Sequence, residues 1–301
     1  KTVLGILKMK NNQLIFSKYK KQLLKKGYIV IRNFFNEKES EELKKTIYNV
    51  HNKFTEEYSQ TKSSFTEVTG MHKYREYWDF ICNKKILDTM NGIIGEDVYY
   101  LYNSNSKINI NDEDSGQYNW HRDSACRLFG FGPDWDKDEI YQVVRVGIYL
   151  FDSKNINSGL NIIPNSHRTK YNLDNILRIV HYRLKNVKNK YVQFFRSTLS
   201  KFIGLDVKTN KGDIIIFLAN LMHSEIPTKK SGRVTAFISY GPNNKHSKNY
   251  VNYYMMHRKG YDMNEEHTKQ FSDVLQSKNI FFPLPKKKDN IKGVSVPLKD
   301  R

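Results

Sequence analysis

Two histidines and an aspartate in this chain have the types and spacing of metal ligands. His121 and Asp123 stand two apart in the string Trp120-His121-Arg122-Asp123, and His223 lies far downstream. On an extended backbone, residues i and i+2 leave the same face, so one short segment can present an imidazole and a carboxylate together. Two imidazoles and one carboxylate on one face of an ion leave the opposite face open, which is the arrangement of non-haem Fe(II) oxygenases. His223 follows an Ile-rich, strand-like run, Asp213-Ile214-Ile215-Ile216-Phe217-Leu218, and Arg233 opens a second such run that continues to Tyr240. A guanidinium deep in a barrel needs an anionic partner, and its planar fork matches a carboxylate. The distal carboxylate of 2-oxoglutarate would meet that need.

The His-x-Asp string means little alone, since a chain of this composition holds on the order of one such string in every two by chance. Its weight comes from context. His-x-Asp at a strand end, a buried-looking strand before the distal His and an Arg opening the next strand together form a pattern.

The elements that must position these residues can be read from periodicity. Residues 17–26 have helical character and stop at Gly27, a C-cap residue type. Asn36 followed by Glu39 has the form of a capping box, and Leu43, Ile47, Val50 and Phe54 recur at helical spacing behind it. A second helix is predicted over 77–91, with Trp78, Ile81, Ile86 and Met90 facing inward and Gly92 and Gly95 ending it. Strands are expected at 28–35, 98–103, 107–111, 118–123, 141–151, 160–163, 213–218 and 233–240. No βαβ rhythm is maintained, which favours a jelly roll over an α/β fold. The predicted class is an all-β core with helical additions: a double-stranded β-helix, cupin-like, flanked by N-terminal and inserted helices. One domain is expected over 1–301, with the core at about 97–242, helical support at 1–96, an insertion at 168–204 and a cap at 243–301. Within the insertion, 173–187 spaces apolar residues along one helical face.

With these residues in view, the chain resembles the phytanoyl-CoA dioxygenase-like family of Fe(II)/2-oxoglutarate-dependent oxygenases, from about Gly27 to about Pro242. The resemblance rests on Gly27 to Phe35, on His121 and Asp123, on the segment Ser158 to His167, on Gly212 to His223, and on Arg233. Asn165 stands where the family commonly has Gly. The resemblance implies that His121, Asp123 and His223 bind iron, that Arg233 binds 2-oxoglutarate, and that Asn103 and Thr235 contact the same cosubstrate. It also implies the activity: with O2, 2-oxoglutarate is decarboxylated to succinate and CO2, and hydrogen is taken from an unactivated C–H bond of a small or carrier-linked metabolite. Related halogenases carry a small residue at the position of Asp123, so the carboxylate here favours hydroxylation, desaturation or cyclisation.

Composition bounds this reading. A chain of 301 residues, 39% hydrophobic, can bury one sizeable core. Only Cys82 and Cys126 occur, so no disulfide framework is indicated and a cytoplasmic setting is expected. No stretch approaches a membrane span. The net charge is +19, and its excess lies in 1–26, 168–211 and 284–301, outside the ligand strings. Such segments either form solvated surfaces or recruit an anionic substrate. Nucleic acid is disfavoured as a partner, because no basic motif with interleaved aromatics is present.

Several other features have two readings each. Phe129, Phe131 and Trp135, in a Gly-rich stretch after the His-x-Asp string, suit either a substrate lid or satellite core. Arg122 projects opposite its ligand neighbours and is read as a structural ion-pair partner. Glu225 is read as solvated or ion-paired, and His167 as a structural hydrogen-bonding residue. Rival functions are an oxygenase acting on nucleic acid or protein and a non-catalytic jelly-roll binding module. AlkB-type enzymes place a second Arg six residues after the cosubstrate Arg, where this chain has Ser239, and JmjC-type enzymes usually use a Lys on another strand. The oligomeric state and the substrate are not legible.

Overall fold

The computed structural model describes residues 3–57, 65–95, 97–109, 119–123, 142–156, 158–168, 184, 187, 189–228, 230–248, 250–251 and 265–282. Its helices, in chain order, are α1 (Val3–Lys26), α2 (Glu37–Glu57), α3 (Trp78–Ile81), α4 (Lys84–Ile94), α5 (Ser153–Ile156), α6 (Lys190–Ile203) and α7 (Glu265–Ser277). The strands are β1 (Tyr28–Ile31), β2 (Phe65–Thr69), β3 (Tyr99–Tyr100), β4 (Asn105–Asn109), β5 (Val144–Tyr149), β6 (Gly159–Ile162), β7 (Leu205–Val207), β8 (Ile214–Leu218), β9 (His223–Ile226) and β10 (Val234–Gly241).

These strands form two antiparallel sheets, as a jelly roll requires. The larger runs β1-β8-β5-β10-β4-β2 with β3 on β10, and the smaller runs β7-β6-β9. The larger sheet is covered on both faces, so its strands are apolar almost throughout and parity decides where each side chain goes. Ile214, Ile216, Leu218, Val144, Val146, Ile148, Val234, Ala236 and Ile238 join the helices in one core. Ile215, Phe217, Tyr149 and Phe237 face the other way, meeting Leu160, Ile162 and Val207 of the small sheet. Burying each such aliphatic side chain contributes about 1.5–3 kcal/mol before entropy is counted. The polar residues of the inner face therefore sit inside a dry shell.

The helical layer follows from local signals. The capping box at α2 is reciprocal: Glu39 N–H donates to Asn36 Oδ1 at 2.9 Å, and Asn36 N–H to Glu39 Oε2 at 2.8 Å. Gly27 ends α1 at φ 86, and its Cα packs so close to His167 and Leu221 that a Cβ would collide with both. The helix expected over 77–91 is two helices, because Asn83 interrupts it and its side chain caps α4 by accepting from Lys85 N and Ile86 N. Gly92 does not end α4. It lies within the helix and lets the Phe16 ring of α1 approach, while Gly95, at φ 107, provides the stop. Regular strand is also shorter than expected at 28–35 and at 118–123, where His121 forms only an isolated bridge. Residues 173–183, most of the inserted helix, lie outside the described residues, as does the aromatic stretch with Phe129, Phe131 and Trp135. Asn165 has φ 67, a left-handed conformation that Asn tolerates and Gly adopts freely, which accounts for the exchange at this turn.

Candidate metal centre and cosubstrate pocket

The segment 119–121 lies alongside β9 as a one-residue continuation of the small sheet. His121 and His223 exchange backbone hydrogen bonds in both directions, N–H to O at 2.9 and 3.0 Å, and Asn119 N–H donates to Ser224 Oγ at 2.8 Å. Residues directly opposite in an antiparallel pair share a face, so the two imidazoles stand side by side with ring centroids 4.3 Å apart. Trp120 points to the other side, packed with Met222 and Ile226. Arg122 is buried there too, donating to the carbonyls of Asn220 at 2.9 Å and Ser166 at 2.8 Å. These carbonyls supply part of the structural anchoring of Arg122.

Asp123 completes the cluster. One ligand atom from each of His121, Asp123 and His223 lies within 4.8 Å of the others. The Nε2 atoms of His121 and His223 are 3.6 and 3.7 Å from the Asp123 carboxylate oxygens. Each Nδ1 faces a backbone carbonyl, Asn119 O at 2.6 Å and Leu221 O at 2.9 Å. A carbonyl can only accept, so Nδ1 carries the proton and Nε2 keeps its lone pair turned toward the carboxylate. Burial, reinforced by the neighbouring His223, pushes the pKa of His121 down to about 3. Burial likewise lowers His223. Both rings are therefore neutral at pH 7, the form a metal requires.

Behind the carboxylate sits Arg145 of β5, which the sequence reading did not single out. Its Nε lies 3.2 Å from Asp123 Oδ2, Nη1 donates to Asn103 O at 2.6 Å and Nη2 to Asn105 Oδ1 at 2.8 Å. The guanidinium also lies over the Phe237 ring and opposite Ser239 in register. A cation therefore occupies this corner of the site from the strand adjacent to Ser239. Asn103 serves this corner: its amide donates to Tyr250 Oη at 2.7 Å.

Further along the inner face lies a second charged group. Arg233, at 2% exposure, pairs through Nη2 with Glu225 Oε2 at 3.0 Å, while Lys107 of β4 holds Glu225 Oε1 at 2.6 Å. Burial would raise the Glu225 pKa, yet Arg233 and Lys107 outweigh it and hold the carboxyl well below its usual range. Burial likewise opposes the charge on Lys107, and Glu225 with Glu67 reverses this and raises its pKa. Thr235 pairs in register with Lys107 on one side and Tyr149 on the other, placing the three in one row across β4, β10 and β5. Arg233 Nε, Tyr149 Oη and Thr235 Oγ1 are buried without a hydrogen-bond partner among the described residues. Buried donors left unmet cost about 1–3 kcal/mol each, so three within one shell mark a place built for an acceptor.

The family of Phytanoyl-CoA dioxygenase (PhyH) matches residues 23–225, more than half of the chain and inclusive of all three clustered ligands. The chain belongs to the phytanoyl-CoA dioxygenase family. It is accordingly an oxidoreductase of the iron- and 2-oxoglutarate-dependent dioxygenase class, on a double-stranded β-helix. No curated protein matches the sequence. Solved structures share the fold with this PhyH-family chain at low identity. HygX from Streptomyces hygroscopicus, determined with nickel and 2-oxoglutarate, aligns with a TM-score of 0.56 at 16% identity, covering 75% of this chain and 87% of that one. The epimerase SnoN from nogalamycin biosynthesis gives 0.52 at 10% identity, covering 83% and 90%. EctD from S. alaskensis, with bound Fe, gives 0.51 at 18%, covering 75% and 76%. Among the described residues, no helix of this PhyH-family chain is long and apolar enough to cross a membrane.

Sequence reasoning named His121, Asp123, His223, Arg233 and Thr235, and the fold turns these toward the space between the two sheets, the histidines from the small sheet and Arg233 and Thr235 from the large one. It missed Arg145, Tyr149 and Lys107. A usable signal existed: counting by twos from Arg233 through Thr235, Phe237 and Ser239 defines the inner face of β10. Finding their partners also required the cross-strand register, which the sequence does not print.

Proposed function

We propose that His121, Asp123 and His223 hold Fe(II), that Arg233 with Thr235 and Tyr149 receives the distal carboxylate of 2-oxoglutarate, and that the enzyme oxidises a C–H bond of a small or carrier-linked metabolite. The observation that carries this reading is the convergence of three ligand atoms within 4.8 Å, with both Nδ1 atoms committed to carbonyls and a buried arginine paired with Glu225, two residues along β9 from His223. The donor set fits iron: two neutral imidazoles and a carboxylate from one side leave positions open for a chelating oxo acid and for O2. When bound, iron and 2-oxoglutarate would together activate O2, the oxidant, with 2-oxoglutarate oxidised to succinate and CO2 as the C–H bond is oxidised.

The chain's own residues do the rest. The carbonyls of Asn119 and Leu221 fix the two rings in orientation and tautomer. Arg145 Nε lies 3.2 Å from Asp123 Oδ2 and so balances the charge of that ligand from within the fold. Phe217, whose ring lies 4.8 Å from that of His223, joins Phe237, Leu160 and Ile162 in a wall that keeps water from the reacting centre. Likeness in fold to HygX, determined with 2-oxoglutarate bound, supports the cosubstrate, and likeness to SnoN of nogalamycin biosynthesis supports a small-molecule substrate. The basic segments at 168–211 and 284–301 favour an anionic substrate.

Anaerobic addition of Fe(II) and 2-oxoglutarate should give the visible charge-transfer band of the chelate, and O2 should then release succinate. His121→Ala should remove both signals while leaving the melting transition intact. Retention of the band in that variant would disprove the ligand assignment.

A further inference from the structure

We propose that Arg145 sets the reduction potential of the metal centre, holding bound iron in the ferrous state by keeping a fixed cation behind the Asp123 carboxylate. This rests on the assignment of iron to His121, Asp123 and His223. The guanidinium is built into the fold. Its side chain is 6% exposed, with Nε 3.2 Å from Asp123 Oδ2. On its other edges Nη1 donates to Asn103 O at 2.6 Å and to Ser239 Oγ at 3.2 Å, and Nη2 donates to Asn105 Oδ1 at 2.8 Å. The Phe237 ring lies against it, its centroid 5.5 Å from Cζ. Asn105 is held in turn, its amide donating to Glu67 Oε1 at 2.8 Å. Partners on three strands fix the guanidinium in place, and an arginine keeps its proton in any protein environment. Asp123 therefore meets the metal with a permanent positive charge at its back.

The consequence is a difference between two oxidation states. Fe(III) carries one more positive charge than Fe(II), so a neighbouring cation repels it more. In a poorly screened interior that extra repulsion shifts the equilibrium between the two states by about tenfold or more. Other charges around the site are common to wild type and variant, so the comparison needs no count of the local charge. A purely structural Arg145 would act otherwise, because its loss would loosen both oxidation states alike and leave their ratio in place. The open two-imidazole, one-carboxylate site works with Fe(II). An electron passed from the iron to O2 outside turnover leaves Fe(III) and superoxide, and the cation makes that transfer less favourable.

The test is an anaerobic potentiometric titration of iron-loaded protein against redox mediators of known potential, following the ferric signal by electron paramagnetic resonance. Wild type, Arg145→Gln and Arg145→Lys are compared. Gln keeps donors in place but removes the charge, so the ratio of Fe(III) to Fe(II) at a fixed potential should rise about tenfold or more, a midpoint lower by about 59 mV or more. Lys restores the charge and should recover most of that shift. Asn105→Asp leaves Arg145 in place and sets a carboxylate against its Nη2. It should lower the midpoint in the same direction, and it remains readable if Arg145→Gln does not fold. An unchanged or raised midpoint in Arg145→Gln or in Asn105→Asp, or a Lys variant as low as the Gln variant, would overturn the proposal. Failure of wild type to bind Fe(II) in a competition titration would instead remove the ligand assignment itself, and this inference with it.

Discussion

Replacing His51 with Gln should flatten the acid side of the stability profile by an amount that can be worked out. His51 lies in α2, at 1% exposure, with Nε2 2.9 Å from Ser106 Oγ on β4. Tyr77 Oη meets the same Ser106 hydroxyl at 2.7 Å, so the imidazole helps dock α2 against the strand that carries Lys107. Burial disfavours the charged ring and lowers its pKa from 6.5 to about 4. The sign follows directly: below pH 6.5 the unfolded chain takes up a proton that the folded protein refuses. Stability is therefore complete above pH 6.5 and is lost as pH falls toward 4. At about 1.4 kcal/mol per pKa unit, the loss from this group alone is roughly 2 kcal/mol at pH 5 and about 3 kcal/mol at pH 4. Gln can keep a hydrogen bond to Ser106 and does not titrate. Urea unfolding of both proteins at intervals from pH 7.5 to 4 should show the variant less stable or equal near neutrality and gaining on wild type by about those amounts on acidification. Parallel profiles would refute the burial argument, because other acid-sensitive groups are common to both proteins and cancel in the difference.

Tyr149→Phe removes a buried hydroxyl with no hydrogen-bond partner among the described residues. The ligand-free melting temperature should hold or rise, while 2-oxoglutarate binding to Ni(II)-loaded protein weakens about 10- to 100-fold, the worth of one hydrogen bond to a charged group; lower stability with unchanged binding would speak against the pocket. Arg145→Met strands Asp123 and the oxygens of Asn103 and Asn105 that the guanidinium now serves. It should cost about 3–5 kcal/mol in denaturant unfolding and weaken metal binding about 10- to 100-fold in a competition titration, with wild-type metal affinity as the contrary result.

The one-dimensional sequence determined a great deal here, because several signals are local. His121 and Asp123 two apart, the Asn36–Glu39 cap, the Gly27 stop and the Ile-rich run of β8 each declare their structure within a few residues, and the Arg that opens β10 stands out as a cation among apolar neighbours. Where local signals competed, the reading slipped: Asn83 caps a new helix inside a periodic stretch, and Gly92 serves packing against Phe16 rather than termination. Tertiary structure alone decided which strands lie side by side. Lys107, Thr235 and Tyr149 occupy one row although long stretches of chain separate them, and Glu225 reaches both Lys107 and Arg233 across the gap between two sheets. Period-two alternation tells which face a residue takes. It carries no information about neighbouring strands, and so the ion pairing of the pocket becomes visible only when the sheets close on one another.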